Sequence, residues 1–189
     1  MYPQVLREPQ NIALLGIIGA LGFSLLWAVA VFVDGSWVFG EMTLSVLGDP
    51  SRPADAIFNL GCILAGIVLV VFAMAMRPLQ KNRILRLTFG LVALASFFLI
   101  GVGLFPIHIE FWHNLFAWAY FLTMMGAVVI SIPGDWYLGG RGRAMALFTL
   151  LMVLISVALL AFTALALAEA VAAIFIMTWA LMRSLDLVL

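Results

Sequence analysis

The sequence predicts an all-α polytopic membrane protein, a six-transmembrane-helix bundle with both termini in the cytoplasm. Three observations predict it: the composition, the long uncharged runs and the placement of the basic residues. Of the 189 residues, 66% are hydrophobic and 10% are charged. Soluble domains carry about 25% charged and about 45–50% apolar residues. An uncharged apolar run of about 18 residues or more can cross the ~30 Å hydrocarbon core as a helix.

The apolar runs are separated by prolines and charges, and the last of them is too long for one helix. Residues 144–182 are interrupted only by Glu169. A single helix over this run would be about 58 Å long at 1.5 Å per residue, so we expect a hairpin between Thr163 and Glu169. The predicted helices span residues 11–33, 56–76, 87–105, 112–132, 144–163 and 167–186 of a single transmembrane domain, 1–189, with an outer loop over 34–55.

Local signals mark several of these helix ends. Asp55 is predicted to be the N-cap of the second helix, because a carboxylate there can accept the free backbone N–H groups of the first turn. Pro106 is predicted to end the third helix and Pro133-Gly134 the fourth. In the outer loop, residues 37–47 mix aromatic and polar side chains, which is typical of a short segment lying at the membrane surface.

Basic residues fall on one predicted side of the membrane. With six helices and both termini inside, Arg52 is the one basic residue outside. This bias is the one that the positive-inside rule requires, so we expect a multi-pass protein of the plasma membrane. The basic residues predicted to lie inside are Arg7, Arg77, Lys81, Arg83, Arg86, Arg141, Arg143 and Arg183.

Composition also limits the partners. The net charge of zero argues against a nucleic-acid partner, which would require a basic patch. The single cysteine, Cys62, excludes an internal disulfide and a metal site built from several cysteines. Membrane lipids are the expected partners, and a homo-oligomer or a membrane protein partner is also open.

The predicted outer face gathers polar and ionisable side chains, including both histidines of the chain. This outer polar cluster is a candidate pocket for a lipid headgroup or a partner. For Asn59, which lies near the start of the second helix, two interpretations stay open: a ligand contact, or a hydrogen bond to His113 or to the outer loop. The candidate binding residues are Asp55, Asn59, His108, Glu110, His113, Asn114 and Glu169.

A metal site is an alternative use of the same region. Glu110 and His113 are three residues apart and share a face of a helix, a spacing used in carboxylate-bridged metal sites. His108 would join them from the turn after Pro106, and this ligand set would suit zinc or iron. The simpler interpretation is that these residues cap the fourth helix and bond to the outer loop. Haem is disfavoured, because two histidines so close in sequence cannot lie on opposite faces of one porphyrin.

Several short motifs are spread over nearly the whole chain. They are Ser45-Val46-Leu47-Gly48, Pro50 or Pro53, Phe58-Asn59-Leu60-Gly61, Gly66, Phe105-Pro106, His113 with Ala117, and Glu169 before the last helix. Together these motifs resemble the domain of unknown function 998, a family of small six-helix membrane proteins of archaea and bacteria. The resemblance implies the fold and the membrane location, and it supplies no activity.

Three functions are compatible with the sequence. The first is a binding or scaffold bundle with a polar outward-facing pocket. The second is a metal-dependent lipid-modifying enzyme that activates water with His108, Glu110, His113, Asp55 or Glu169. The third is a small transporter or channel, which ranks last because no charge falls mid-span and no proline interrupts a predicted span. Whether a reaction is catalysed is left open.

Overall fold

The computed structural model describes residues 8–188, and over this range the chain is all-helical. Six helices there are long and apolar enough to cross a membrane, which confirms the six-helix prediction; Arg7 and the ends of the predicted domain lie outside the described residues. A 3-10 helix, Leu44–Gly48, lies between the first two. The long helices are α1 Pro9–Asp34, α2 Asp55–Leu79, α3 Arg83–Leu104, α4 Glu110–Trp136, α5 Gly140–Phe162 and α6 Leu165–Leu185.

The six helices form a closed ring in sequence order. Each packs against its neighbours in the chain, and α6 returns to pack against α1. Three aromatic side chains from different helices meet inside the ring. The Phe72 and Phe89 ring centroids are 6.2 Å apart, and those of Phe89 and Trp179 are 6.0 Å apart. These contacts connect α2, α3 and α6 through the interior.

Helices α2 and α3 approach each other closely because small residues lie at their crossing. A Cβ atom on Gly66 would lie 2.8 Å from the carbonyl oxygen of Ser96, and one on Gly103 would overlap the carbonyl oxygen of Asn59. Neither contact leaves room for a side chain. Close backbone packing of this kind is how helices associate in lipid, where apolar burial gives no driving force between them.

The outer surface of the ring is apolar. Phe32, Phe97 and Leu122 are 86%, 56% and 66% exposed. Large apolar side chains on the outside of long apolar helices are suited to contact with lipid.

The connections between helices define two ends of the bundle. We call the end formed by residues 35–54, 105–109 and 163–164 the histidine end, because His108 and His113 lie there. The opposite end, formed by residues 80–82 and 137–139 and the end of α6, is the arginine end. Residues 35–54, which include the 3-10 helix, are called the cap segment; the 3-10 helix packs against α1, α2 and α6.

The helices begin and end within about four residues of the predicted limits, and the predicted hairpin after Thr163 is present, but two local expectations were wrong. The N-cap of α2 is Ala54, and Asp55 is the first helical residue, with its carboxylate accepting the Ala56 N–H at 2.6 Å. Helix α4 continues through Pro133 to Trp136. A proline in the last turn removes only one backbone hydrogen bond, and the extension buries Gly134 and Asp135. The final hairpin turns at residues 163–164.

Candidate functional site

A cavity of about 360 Å³ lies between α4, α5 and α6. Most of its wall is apolar, with contributions from residues such as Met152 on α5 and Ile176 on α6. Its polar lining is concentrated near the histidine end, with Ser156 of α5 further along the wall. The cavity is thus a hydrocarbon-lined space with one polar end. The polar residues at that end are Thr43, Ser45, His113, Asn114 and Glu169.

His113 lies on the inward face of α4 and is 4% exposed. Its Nδ1 is 2.8 Å from the carbonyl oxygen of Phe105, the residue that follows α3. A carbonyl oxygen can only accept a hydrogen bond, so Nδ1 must carry the proton. In the neutral imidazole, Nε2 is therefore a free acceptor. This contact also fixes the ring orientation and ties α4 to the end of α3.

Glu169 lies in the first turns of α6 and contacts the cap segment. The backbone N–H groups of Leu44 and Ser45 face its carboxylate and interact with it. These are the first residues of the 3-10 helix, whose N–H groups have no partner within the helix. Glu169 therefore joins α6 to the part of the cap segment that lines the cavity.

Polar contacts hold the rest of the cap segment in place. Arg52 Nη1 is 3.1 Å from a carboxylate oxygen of Asp34. The indole Nε1 of Trp37 donates to the carbonyl oxygen of Thr43 at 3.0 Å. The segment is thus fixed on both sides of the 3-10 helix.

Asp49 and Asn59 fix the part of the cap segment that enters α2. The Ser51 hydroxyl and backbone N–H donate to Asp49 at 2.6 and 2.8 Å. These bonds, the hydroxyl first, hold the pKa of Asp49 below its ordinary value. Asn59 Nδ2 donates to the carbonyl oxygen of Gly48 at 2.9 Å. Of the two interpretations of Asn59, the structure shows the hydrogen bond to the outer loop.

The predicted outer polar cluster is divided by the structure. His113, Asn114 and Glu169 line the cavity together, although two of them are on α4 and one is on α6. Thr43 and Ser45 of the cap segment join them, and their hydroxyl oxygens are 3.1 Å apart.

The other predicted residues lie away from the cavity. His108 and Glu110 are exposed at the histidine end. Asp55 and Asn59 bond to nearby backbone groups and do not line the cavity.

The metal site considered from the sequence is not formed. Across residues 8–188, no group of three or more His, Cys, Asp or Glu side chains is placed to hold a metal ion. The reason is geometric: His108 and Glu110 are exposed, whereas His113 points inward with its Nδ1 bonded to Phe105. The zinc or iron hypothesis therefore has no ligand set in this part of the chain.

A second polar group, missed by the sequence analysis, lies at the arginine end. Asp135 of α4 and Arg183 of α6 form an ion pair, and both side chains are buried. The guanidinium lies over the Trp179 ring, 4.9 Å from its centroid. Among the contacts of the described residues, this is the polar contact that joins α4 to α6. Arg183 Nε, Trp179 Nε1 and one Asp135 oxygen have no partner within the described chain.

A groove of about 510 Å³ runs along α6 on its α1 side. Ser24, Trp27 and Thr178 are among its lining residues, and no ionisable side chain lines it. Of these two spaces, only the one between α4, α5 and α6 brings ionisable groups together.

The fold and the surface define the class: the chain is a multi-pass helical membrane protein. It also matches a family over residues 17–186, described as Protein of unknown function (DUF998). The match covers most of the chain, so the chain belongs to this family, as its motifs predict. No curated protein matches the chain. No solved structure matches it either.

The ion pair at the arginine end predicts a large and specific stability effect. In Arg183→Met, the Asp135 carboxylate stays buried without its partner, so the free energy of unfolding should fall by about 3–5 kcal/mol. Arg143→Met is the matched control, because Arg143 also lies over a tryptophan, Trp136 at 5.6 Å, but is exposed. That control should lose only about 0.5–1 kcal/mol. Unfolding in mixed micelles with increasing dodecyl sulfate measures both.

The double variant Asp135→Leu/Arg183→Met provides a further check. It leaves no unpaired charge, so it should be more stable than Arg183→Met alone. Equal losses in Arg183→Met and Arg143→Met would show that the ion pair does not hold α4 and α6 together.

Proposed function

We propose that the protein binds one hydrocarbon chain of a membrane amphiphile in the cavity between α4, α5 and α6. The polar head of the amphiphile would lie at the histidine end, against His113 and Glu169. The observation that supports this proposal is the form of the cavity: a long apolar wall that ends in a small set of polar groups. An amphiphilic ligand is likewise divided into a long apolar chain and a small polar head.

The size of the cavity supports a ligand of this kind. Its volume of about 360 Å³ lies in the range of about 300–1,000 Å³ typical of small-molecule sites. The cavity is open to the surroundings of the bundle, because exposed apolar side chains such as Leu122 and Leu160 belong to its lining. A hydrocarbon chain from the bilayer could therefore enter between the helices and pack against this apolar wall.

The cap segment supports binding at the polar end. Thr43 and Ser45 of the cap segment line the cavity, and Glu169 connects the segment to α6. The segment would cover the headgroup while the chain extends between the helices. The ion pair of Asp135 and Arg183 would keep the opposite end of α4 and α6 together, so the ligand would enter from the histidine end or from the bilayer between the helices.

We further propose that the protein lies in the plasma membrane with its arginine end in the cytoplasm. The described basic residues support this, since Arg52 alone among them lies at the histidine end and cytoplasmic loops carry the excess of Lys and Arg. In this orientation the polar end of the cavity belongs to the outer leaflet.

Single-cysteine labelling tests the orientation. Cys62 is buried and is replaced by alanine, after which a cysteine is introduced at exposed Glu41 or at exposed Lys81. A membrane-impermeant maleimide added to intact cells should label Glu41→Cys but not Lys81→Cys, whereas permeabilised cells should show both. Labelling of Lys81→Cys alone in intact cells would invert the orientation.

Photolabelling tests the cavity. The purified full chain is placed in phosphatidylcholine vesicles with a trace of hexadecanol that carries a diazirine on its chain. Residues of α4, α5 and α6 that line the cavity should be labelled, and excess unmodified hexadecanol should compete this labelling away. Labelling of the outer helix faces should not saturate, because those faces contact bulk lipid.

A pair of alanine variants gives the control. Ala172 lines the cavity, so Ala172→Phe should reduce the saturable labelling at least about fivefold, since overpacking costs about 1–3 kcal/mol. Ala158 is exposed on α5 and does not line the cavity, so Ala158→Phe should leave it unchanged. Absence of any saturable labelling, or equal effects of the two variants, would reject the proposal.

A further inference from the structure

The polar end of the cavity presents hydrogen-bond acceptors. His113 uses its Nδ1–H on the Phe105 carbonyl oxygen, which leaves Nε2 of the neutral ring as an acceptor. This nitrogen has no protein partner among the described residues, and it is not one of the fully buried unpartnered atoms. It therefore keeps accessible surface, and the ring that carries it lines the cavity.

Glu169 adds further acceptor capacity. A carboxylate has about four lone-pair sites, and the N–H groups of Leu44 and Ser45 can use at most two of them. The sites that remain belong to a side chain that lines the cavity. The hydroxyl groups of Thr43 and Ser45 can act as donors or as acceptors toward a headgroup, since a hydroxyl both donates and accepts hydrogen bonds.

Among the described residues, no Lys or Arg lines the cavity beside these acceptors. Arg52, which lies at the histidine end, is paired with Asp34 at 3.1 Å. A phosphate, sulfate or carboxylate head would find no positive charge at this end of the cavity to compensate its own, which is unfavourable where water is scarce.

These observations point to the class of headgroup. We propose that the cavity selects an amphiphile whose head donates hydrogen bonds and carries no negative charge, with a primary ammonium preferred over a hydroxyl. This inference rests on the proposed function, because it concerns the same cavity. An ammonium offers three donors and no acceptor. It can bond to Glu169 and His113 together, and these bonds are charge-assisted because the ammonium carries a full positive charge.

Competition against the photoreactive hexadecanol tests the preference on the unmodified chain. The competitors are dodecylamine, dodecanol and dodecyl phosphate at neutral pH, each expressed as its concentration in the phosphatidylcholine membrane. Hydrogen bonds that involve a charged group are stronger than neutral ones, so dodecylamine should compete at a concentration at least roughly tenfold below that of dodecyl phosphate. Dodecanol should fall between the two.

Glu169→Gln identifies the residue responsible. Glutamine keeps the shape and an acceptor oxygen but cannot ionise beside an ammonium, so the advantage of dodecylamine over dodecanol should fall roughly tenfold. Glu110→Gln is the matched control, because Glu110 is an exposed acid at the same end that does not line the cavity. It should leave the order and the ratios unchanged.

Each outcome decides the inference. If labelling is saturable but dodecyl phosphate competes as well as or better than dodecylamine, the headgroup preference is overturned, while the cavity remains a binding site. An unchanged amine advantage in folded Glu169→Gln would also overturn it. If Glu169→Gln does not fold, the competition series on the unmodified chain still decides. Absence of saturable labelling would reject the cavity as a binding site, and the headgroup preference with it.

Discussion

Besides its packing against α1 and α5, α6 is held by two polar contacts, one near each end of the helix. At the arginine end, Arg183 is paired with Asp135 of α4. An unpaired charge in a transmembrane helix costs about 2.5–3.5 kcal/mol on insertion scales, so the two helices must stay together there. At the histidine end, Glu169 interacts instead with the 3-10 helix of the cap segment. Helix α6 is thus tied to α4 at one end and to the cap segment at the other, and the cavity lies between.

The two halves of the ring are packed by different means. Between α2 and α3, glycines at 66 and 103 bring the backbones into contact and leave no room for a side chain. Between α4, α5 and α6 the walls are built from larger side chains, and a space of about 360 Å³ is left among them. This division, with close backbone packing on one side of the ring and a cavity on the other, is the arrangement on which the proposed binding of a hydrocarbon chain rests.

The sequence predicts the number and approximate limits of the helices, because the need to bond every backbone polar group in hydrocarbon leaves long apolar helices as the solution. It does not predict that His108 and His113 lie in different surroundings. Whether both residues belong to α4 depends on where that helix begins, and the structure places its start at Glu110, after His108. The buried set of α4, which includes His113, Tyr120, Met124 and Ala127, follows helical spacing. That periodicity could have distinguished His113 from Glu110.

The pairing of Asp135 with Arg183 lies beyond sequence reasoning of this kind. The two residues are 48 positions apart, and nothing local connects them. The expectation that Pro133 would end α4 also placed Asp135 in a connecting loop, whereas it is fully buried in the last turn of the helix. Asp135 and Arg183 come into contact only when the six helices are assembled into the ring, with α6 packed beside α1.

The most direct measurement is an electron cryomicroscopy structure of the full chain in a lipid nanodisc, with an antibody fragment bound to give particle alignment. Helices α4 and α6 should be in contact at Asp135 and Arg183. An elongated density should run from the His113 and Glu169 end into the apolar cavity beside Met152. Helices α4 and α6 packed directly along their length, with no space between them, would contradict the account.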